Sequence, residues 1–151
     1  LARLAEAEPL RSLDNERALT LRGHRQACET AHWLSTKLDQ HGILVCSPYR
    51  RARETAAELQ LVMPQVPLHV VAQITPENTV REALSGLEAV AVAGEMIVVS
   101  HMPLVASIAG WFEHGVMSAG HAFSLAEARV YDLELLGAGQ ARLIDRFVPV
   151  S

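Results

Sequence analysis

Two short apolar runs, 43–46 (ILVC) and 96–99 (MIVV), constrain the fold of this chain more than any other feature. Each is too short for a helix and shows no polar alternation, the pattern of a parallel strand covered on both faces. Each leads into a serine and then a proline that can open a helix, Pro48 and Pro103. The remaining segments fit the same scheme. Thr20 can cap a helix over 20–40, with Leu21, Ala27, Ala31, Leu34 and Leu38 as its apolar stripe and Gly42 as its stop. A second helix is expected over 49–62 and a strand over 68–74. Asn78 or Thr79 caps a third helix to about residue 92, and Pro103 opens a fourth to about residue 114. A loop rich in Gly, Ser and His follows over 115–125. Segments 128–135 and 140–148 then alternate around Gly137-Ala138-Gly139, as a hairpin does. The fold class expected is α/β: a three-layer α/β/α domain spanning 1–151, with a mainly parallel central sheet and a C-terminal antiparallel hairpin.

Composition narrows the partners. Half of the 151 residues are apolar, enough for a core without staples. A net charge of -4 and a pI near 6.0 argue against a general nucleic-acid binder. Positive charge must therefore act locally, and almost all of it is arginine, with Lys37 the only lysine. Arginine suits two-pronged contact with phosphate. Cys28 and Cys46 lack any metal or CxxC spacing, so buried thiols in a reducing compartment are expected. No apolar run has membrane-spanning length, and the start LARLAEAEPL has no signal-peptide character. A cytoplasmic protein is expected. The first residue is Leu rather than Met, which sets the expectation that the native beginning is missing.

Chemistry concentrates after the two apolar runs. In 43–55, ILVCSPYRRARET, a strand meets a helix start bearing Arg50, Arg51 and Arg53. Unpaired N–H groups, helix dipole and guanidinium together would grip an oxyanion. The competing account is a surface helix in which Arg51 pairs with Glu54. In 96–104, MIVVSHMPL, His101 falls at the carboxyl end of a buried strand, where ligands bind in open α/β sheets. If both strands are parallel, Arg51 and His101 face one crevice; the competing account is a helix-capping or hydrogen-bonded His101 with no ligand. His24, His32, His41, His69, His114 and His121 show no metal spacing, so neither a metal nor a cofactor is expected.

The segments SPYRRARET and VVSHMPLV, with TLRGHRQA before them and ITPEN between, together resemble the histidine phosphatase superfamily, of phosphoglycerate mutase-like fold. The small chain with almost no insertions looks like the SixA-type phosphohistidine phosphatases. In that family the first strand ends in Arg-His-Gly and an acidic residue, and its histidine attacks phosphorus. Two arginines and a second histidine hold the phosphoryl oxygens. The resemblance implies Arg51 as the arginine of the SPxxRAxxT motif, His101 as the second histidine, and Arg3 as the first arginine. These three form the expected catalytic and phosphate-binding set. Glu77, in ITPEN, is a weaker general-acid candidate. The implied partner is a phosphohistidine-bearing signalling or phosphotransfer protein, or another phosphorylated substrate, with inorganic phosphate as the simplest ligand.

The chain departs from the family at the attacking residue. It reads Arg3-Leu4-Ala5-Glu6-Ala7, so Leu4 stands at the nucleophile position, and an aliphatic side chain cannot accept a phosphoryl group. Only Leu1 and Ala2 precede Arg3, so the family's first strand is expected to be absent, a two-residue strand being too short for the middle of a sheet. Three accounts compete: an incomplete or altered active enzyme, an inactive phosphate-binding relative, or a different alignment in which LARLAEAEPL forms a short helix. An exposed strand edge is expected to follow from the missing strand.

Overall fold

The computed structural model describes residues 1–9, 13–92, 94–116, 121–134 and 136–151. The chain runs through β1 (Ala2–Arg3), a 3-10 turn (Asp14–Glu16), α1 (Leu21–Lys37), β2 (Ile43–Cys46) and α2 (Arg50–Val62). It continues through β3 (Leu68–Val70), α3 (Val80–Val90), β4 (Met96–Ser100), α4 (Leu104–His114), β5 (Ala128–Asp132) and β6 (Arg142–Phe147). The strands form one sheet in the order β3-β2-β4-β1-β5-β6. β3, β2, β4 and β1 are mutually parallel, and β5 and β6 close the sheet as an antiparallel hairpin.

Alternation within the apolar runs explains the layers. Leu44, Cys46, Ile97 and Val99 pack with Ala31 and Leu34 of α1 and Ala52, Ala56 and Leu59 of α2. Ile43, Val45 and Val98 pack on the other face with Ala83 and Leu87 of α3 and Ile108 and Phe112 of α4. Both faces of β2 and β4 are thus covered, which is why neither run carries a polar residue. The architecture is the three-layer α/β/α fold expected from the sequence.

The first strand is present, against the sequence expectation. β1 lies between β4 and β5, with Ala2 opposite Val99 and Arg3 opposite Ser100. Its pairing extends beyond its two strand residues. Leu1 and Arg129 exchange backbone hydrogen bonds of 3.0 and 2.9 Å, Arg3 N donates to Glu127 O at 3.0 Å, and Leu4 N donates to Ser100 O at 3.1 Å. Bonds to both neighbours along Leu1–Leu4 compensate for the short length, and the sheet edges are β3 and β6. None of residues 1–9 is helical, which removes the helix alternative for the described part of LARLAEAEPL.

Several boundaries also move. α1 stops at Lys37, and Leu21 is 81% exposed rather than part of the apolar stripe. The third strand ends at Val70, Tyr49 caps α2, and Pro48 precedes the cap. Thr79 caps α3 in a full capping box with Glu82. Cys46 is buried and Cys28 half-buried, both as free thiols. Residues 117–120 of the expected 115–125 loop, and Leu135 at the end of the expected 128–135 strand, lie outside the described residues. Among the described residues, no helix is long and apolar enough to cross a membrane, and no group of His, Cys, Asp and Glu is placed to hold a metal ion.

Candidate functional site

Because β1, β2 and β4 are parallel, their carboxyl ends share one edge of the sheet. Arg3 and Leu4 leave β1 there, Ser47 leads from β2 into α2, and His101 leads from β4 towards α4. Backbone bonds fix these exits: Ser47 N donates to Val99 O at 3.1 Å, and Val71 N donates to Cys46 O at 2.9 Å. Ser100 donates its hydroxyl to Ile74 O at 2.7 Å, pinning the residue before the histidine.

Arg51 and His101 meet directly. Nη2 of Arg51 lies 3.4 Å from Nδ1 of His101. Both side chains are buried, at 6% and 2% exposure for the two residues, so an anion arriving there would meet weakly screened charge. Nε2 of His101 lies 2.7 Å from Ser47 Oγ. A guanidinium only donates, so Nδ1 accepts from Arg51, and the ring proton sits on Nε2 and is donated to Ser47. Burial, reinforced by the Arg51 charge and opposed by Asp14, pushes the His101 pKa down to about 3. In the free protein the imidazole is therefore neutral at pH 7.

Tyr49 completes the wall. Its ring stands edge-on to His101, with centroids 5.0 Å apart, and Arg51 lies over it at 4.9 Å. Its hydroxyl donates to Glu77 Oε1 at 2.9 Å, so Glu77 reaches this cluster through Tyr49. Burial and the Glu77 carboxylate hold the Tyr49 pKa above its usual value. Thr55 ties the α2 start to the loop after β1: its hydroxyl donates to Arg51 O at 2.8 Å and accepts from Ala5 N at 3.2 Å.

Arg3 takes a neighbouring position, its backbone opposite Ser100 and its Nη1 donating to Phe123 O at 2.8 Å. Behind it lies a buried charge cluster. Glu127, with no exposed surface, accepts from Arg129 Nε at 2.6 Å and Arg146 Nε at 2.8 Å, and Arg129 lies over the Phe123 ring. Leu4 points into the apolar cluster of α1 and α2 and is 6% exposed.

The Arg51–Glu54 pair of the competing account does not form, and Glu54 pairs with Arg50 at 2.6 Å instead. Arg53 donates to Pro48 O at 2.9 Å and is exposed. Arg51 instead donates through Nη1 to Asp14 O at 2.7 Å and through Nη2 to Asp14 Oδ2 at 3.3 Å. Sequence reasoning did not single out Asp14, Ser47, Tyr49 or Thr55. The SPxxRAxxT pattern holds Ser47 and Thr55 at fixed places, a usable signal, whereas nothing in the sequence marks Asp14. A cavity of about 470 Å³ lies between β4 and β5 at the opposite strand ends, and none of Arg3, Arg51 or His101 lines it.

Residues 10–75 match the sequence model of the histidine phosphatase superfamily (branch 1). Among solved structures, the protein assigned as phosphohistidine phosphatase SixA in Nakamurella multipartitia superposes with a TM-score of 0.83 at 24% identity, covering 100% of this chain and 95% of that one. The protein histidine phosphatase SixA complexed with tungstate gives 0.80 at 23% identity, covering 97% and 93%. The protein assigned as SixA in Agrobacterium tumefaciens gives 0.77 at 20%, covering 97% and 95%. No curated protein sequence matches the chain.

Proposed function

From a chain that has the histidine phosphatase fold and carries the superfamily signature over residues 10–75, we propose a SixA-type phosphohistidine phosphatase site that retains phosphoryl binding but has lost the attacking group. The observation that carries this reading is the Arg51–His101 contact at the converging ends of β2 and β4. Arg51 and His101 are the phosphoryl-binding residues, and Arg3 joins them from β1. Leu4, buried among aliphatic side chains, is the position where the family resemblance implies a histidine nucleophile.

Binding follows from the charges. A phosphate dianion seated between Arg51 and His101 would raise the His101 pKa, reversing the effect of the guanidinium. Nδ1 then gains a proton and donates a charge-assisted hydrogen bond to a phosphoryl oxygen, while Nε2 keeps its bond to Ser47. Phosphoryl transfer depends on positioning and electrostatic stabilisation of the equatorial oxygens, and this chain supplies those parts. It supplies no acceptor at position 4. Glu77, exposed and tied to Tyr49, remains the general-acid candidate for a form with its nucleophile. A chain this small leaves little room for insertions over the site. That suits a protein substrate, a phosphohistidine on a signalling or phosphotransfer protein in the cytoplasm.

Calorimetric titration with inorganic phosphate and tungstate tests the reading. The protein should bind both, Arg51→Ala should weaken binding at least about tenfold, and Arg50→Ala should leave it unchanged, since hydrogen bonds to charged groups contribute about 1.5–3 kcal/mol. Phosphoramidate should not be hydrolysed above background. Equal binding by the protein and Arg51→Ala would remove the proposal.

A further inference from the structure

We infer that Glu127 positions the Arg3 guanidinium for the phosphoryl site, acting through the backbone of residues 122–124 without touching the ligand. The inference deepens the phosphoryl-binding reading and rests on it. Arg51 is fixed by Asp14, by His101 and by the Tyr49 ring. Arg3 is held differently. Among the described residues, its side-chain hydrogen bond is the one from Nη1 to Phe123 O at 2.8 Å. A planar guanidinium anchored at one nitrogen keeps its other N–H groups for an oxyanion, but it points only where that carbonyl directs it. The placement of Phe123 O therefore decides the placement of Arg3.

Residues 122–124 belong to no helix or strand, so side chains must hold them. Glu127 does so on both sides of Phe123. Its Oε1 accepts from Ser124 N at 2.8 Å, and its Oε2 accepts from Arg129 Nε at 2.6 Å. Arg129 in turn donates through Nη2 to Ala122 O at 3.0 Å and lies over the Phe123 ring at 3.7 Å. The carboxylate thus grips Ser124 directly and Ala122 through Arg129, and the carbonyl that Arg3 uses lies between the two. The backbone of Glu127 serves the same residue, because its carbonyl oxygen accepts from Arg3 N at 3.0 Å. One residue fixes the main chain of Arg3 and, at one remove, its guanidinium.

Packing alone does not call for this arrangement. Glu127 has no exposed surface, and a buried carboxylate carries a desolvation cost that apolar side chains of similar volume avoid. Its bonds to the arginines are charge-assisted, which makes them short and directional. Among the described residues, Glu127 forms ion pairs with Arg129 and Arg146 and not with Arg3. That choice of partners bears on binding. A direct Arg3–Glu127 pair would orient the guanidinium but also neutralise it, whereas a bond to the uncharged Phe123 carbonyl orients it and leaves its charge for an anion.

The test is a double-mutant cycle of Glu127→Asp and Arg3→Ala, read by calorimetric titration with inorganic phosphate at a temperature where all four proteins are folded. Aspartate keeps the charge but is one methylene shorter, so it cannot hold Ser124 N and both arginines at once. Arg3→Ala should weaken phosphate binding about tenfold. Glu127→Asp should weaken it about three- to tenfold when Arg3 is present and change nothing further in Arg3→Ala, the coupling expected of two residues that act as a unit. In the ligand-free protein, the NMR order parameter of the Arg3 Nε–H should fall in Glu127→Asp while that of Arg51 stays. If Glu127→Asp does not fold, Arg129→Lys carries the same cycle, since it keeps the charge and cannot bridge Glu127 to Ala122 O. Equal losses with and without Arg3, or an unchanged Arg3 order parameter, would overturn the inference. If none of the four proteins binds phosphate while the Arg3 order parameter falls, the phosphoryl reading fails and Glu127 still stands as the residue that holds Arg3.

Discussion

His101 shows how a single residue ties the site to the stability of the whole chain. Burial and Arg51 hold its pKa at about 3, below the ordinary value of 6.5, so between those values the unfolded chain binds a proton that the folded chain refuses. The stability associated with the neutral ring is complete above about pH 6.5 and is lost as pH falls towards 3. Its slope is at most about 1.4 kcal/mol per pH unit. In His101→Gln the urea-unfolding free energy should lose this part of its pH dependence between pH 6 and 4. Parallel pH profiles for the two proteins would show that His101 is not the depressed group. The same reasoning explains why the sequence located the histidine but not its protonation state. Position at the end of an apolar run is a local property, whereas contact with Arg51 joins residues 50 positions apart.

Elements are positioned by close approaches that composition does not announce. Gly42 was expected to stop α1, but the helix already ends at Lys37. Glycine is needed at 42 for another reason, because a Cβ there would stand 1.7 Å from the Glu95 carbonyl oxygen, where the chain enters β2 beside β4. Gly23, in the first turn of α1, has the same constraint against Glu6, whose carbonyl oxygen would lie 2.0 Å from an added Cβ. That carbonyl accepts from Thr20 N at 3.0 Å, so the α1 cap is docked on the loop that leaves β1. In an exposed helix Gly→Ala gains roughly 1 kcal/mol, but Gly23→Ala should instead cost about 1–3 kcal/mol by overpacking. A midpoint at or above that of the unaltered protein in thermal denaturation would refute this. The strand runs, the helices and the α3 cap were legible because each is written in neighbouring residues. The Asp14–Arg51 contact, the Glu127–Arg129–Arg146 cluster and the real length of β1 were not, because each depends on partners supplied by the finished sheet.

At the scale of the molecule, β1 is the shortest strand of the six and lies inside the sheet. β4 and β5 flank β1, yet below Leu1 they part around the 470 Å³ cavity, which Ile97, Val98, Val130 and Tyr131 help to line. The register defines what fits there. Ala2 lies opposite Val99 on one side and Ala128 on the other, so three residues added ahead of Leu1 would fall opposite Ile97, Met96 and Glu95 and opposite Val130, Tyr131 and Asp132. Such an addition would pair on both sides, parallel to β4 and antiparallel to β5, with alternate side chains directed to the two apolar faces. Leu34 and Leu38 await it on one face, Leu87 and Phe112 on the other. Added β-branched residues such as Val-Ile-Val should raise stability by roughly 2–4 kcal/mol through burial and backbone pairing. For a chain of this size, that corresponds to a rise in thermal midpoint of about 4–16 °C. A Gly-Pro-Gly addition, which cannot complete the hydrogen-bond ladder, should give little or none of this. Equal midpoints for the two additions would mean that the opening between β4 and β5 does not accept a strand. A selective gain for the apolar one would show that backbone pairing on both sides of β1 stabilises the strand whose far end presents Arg3 and Leu4 to the site.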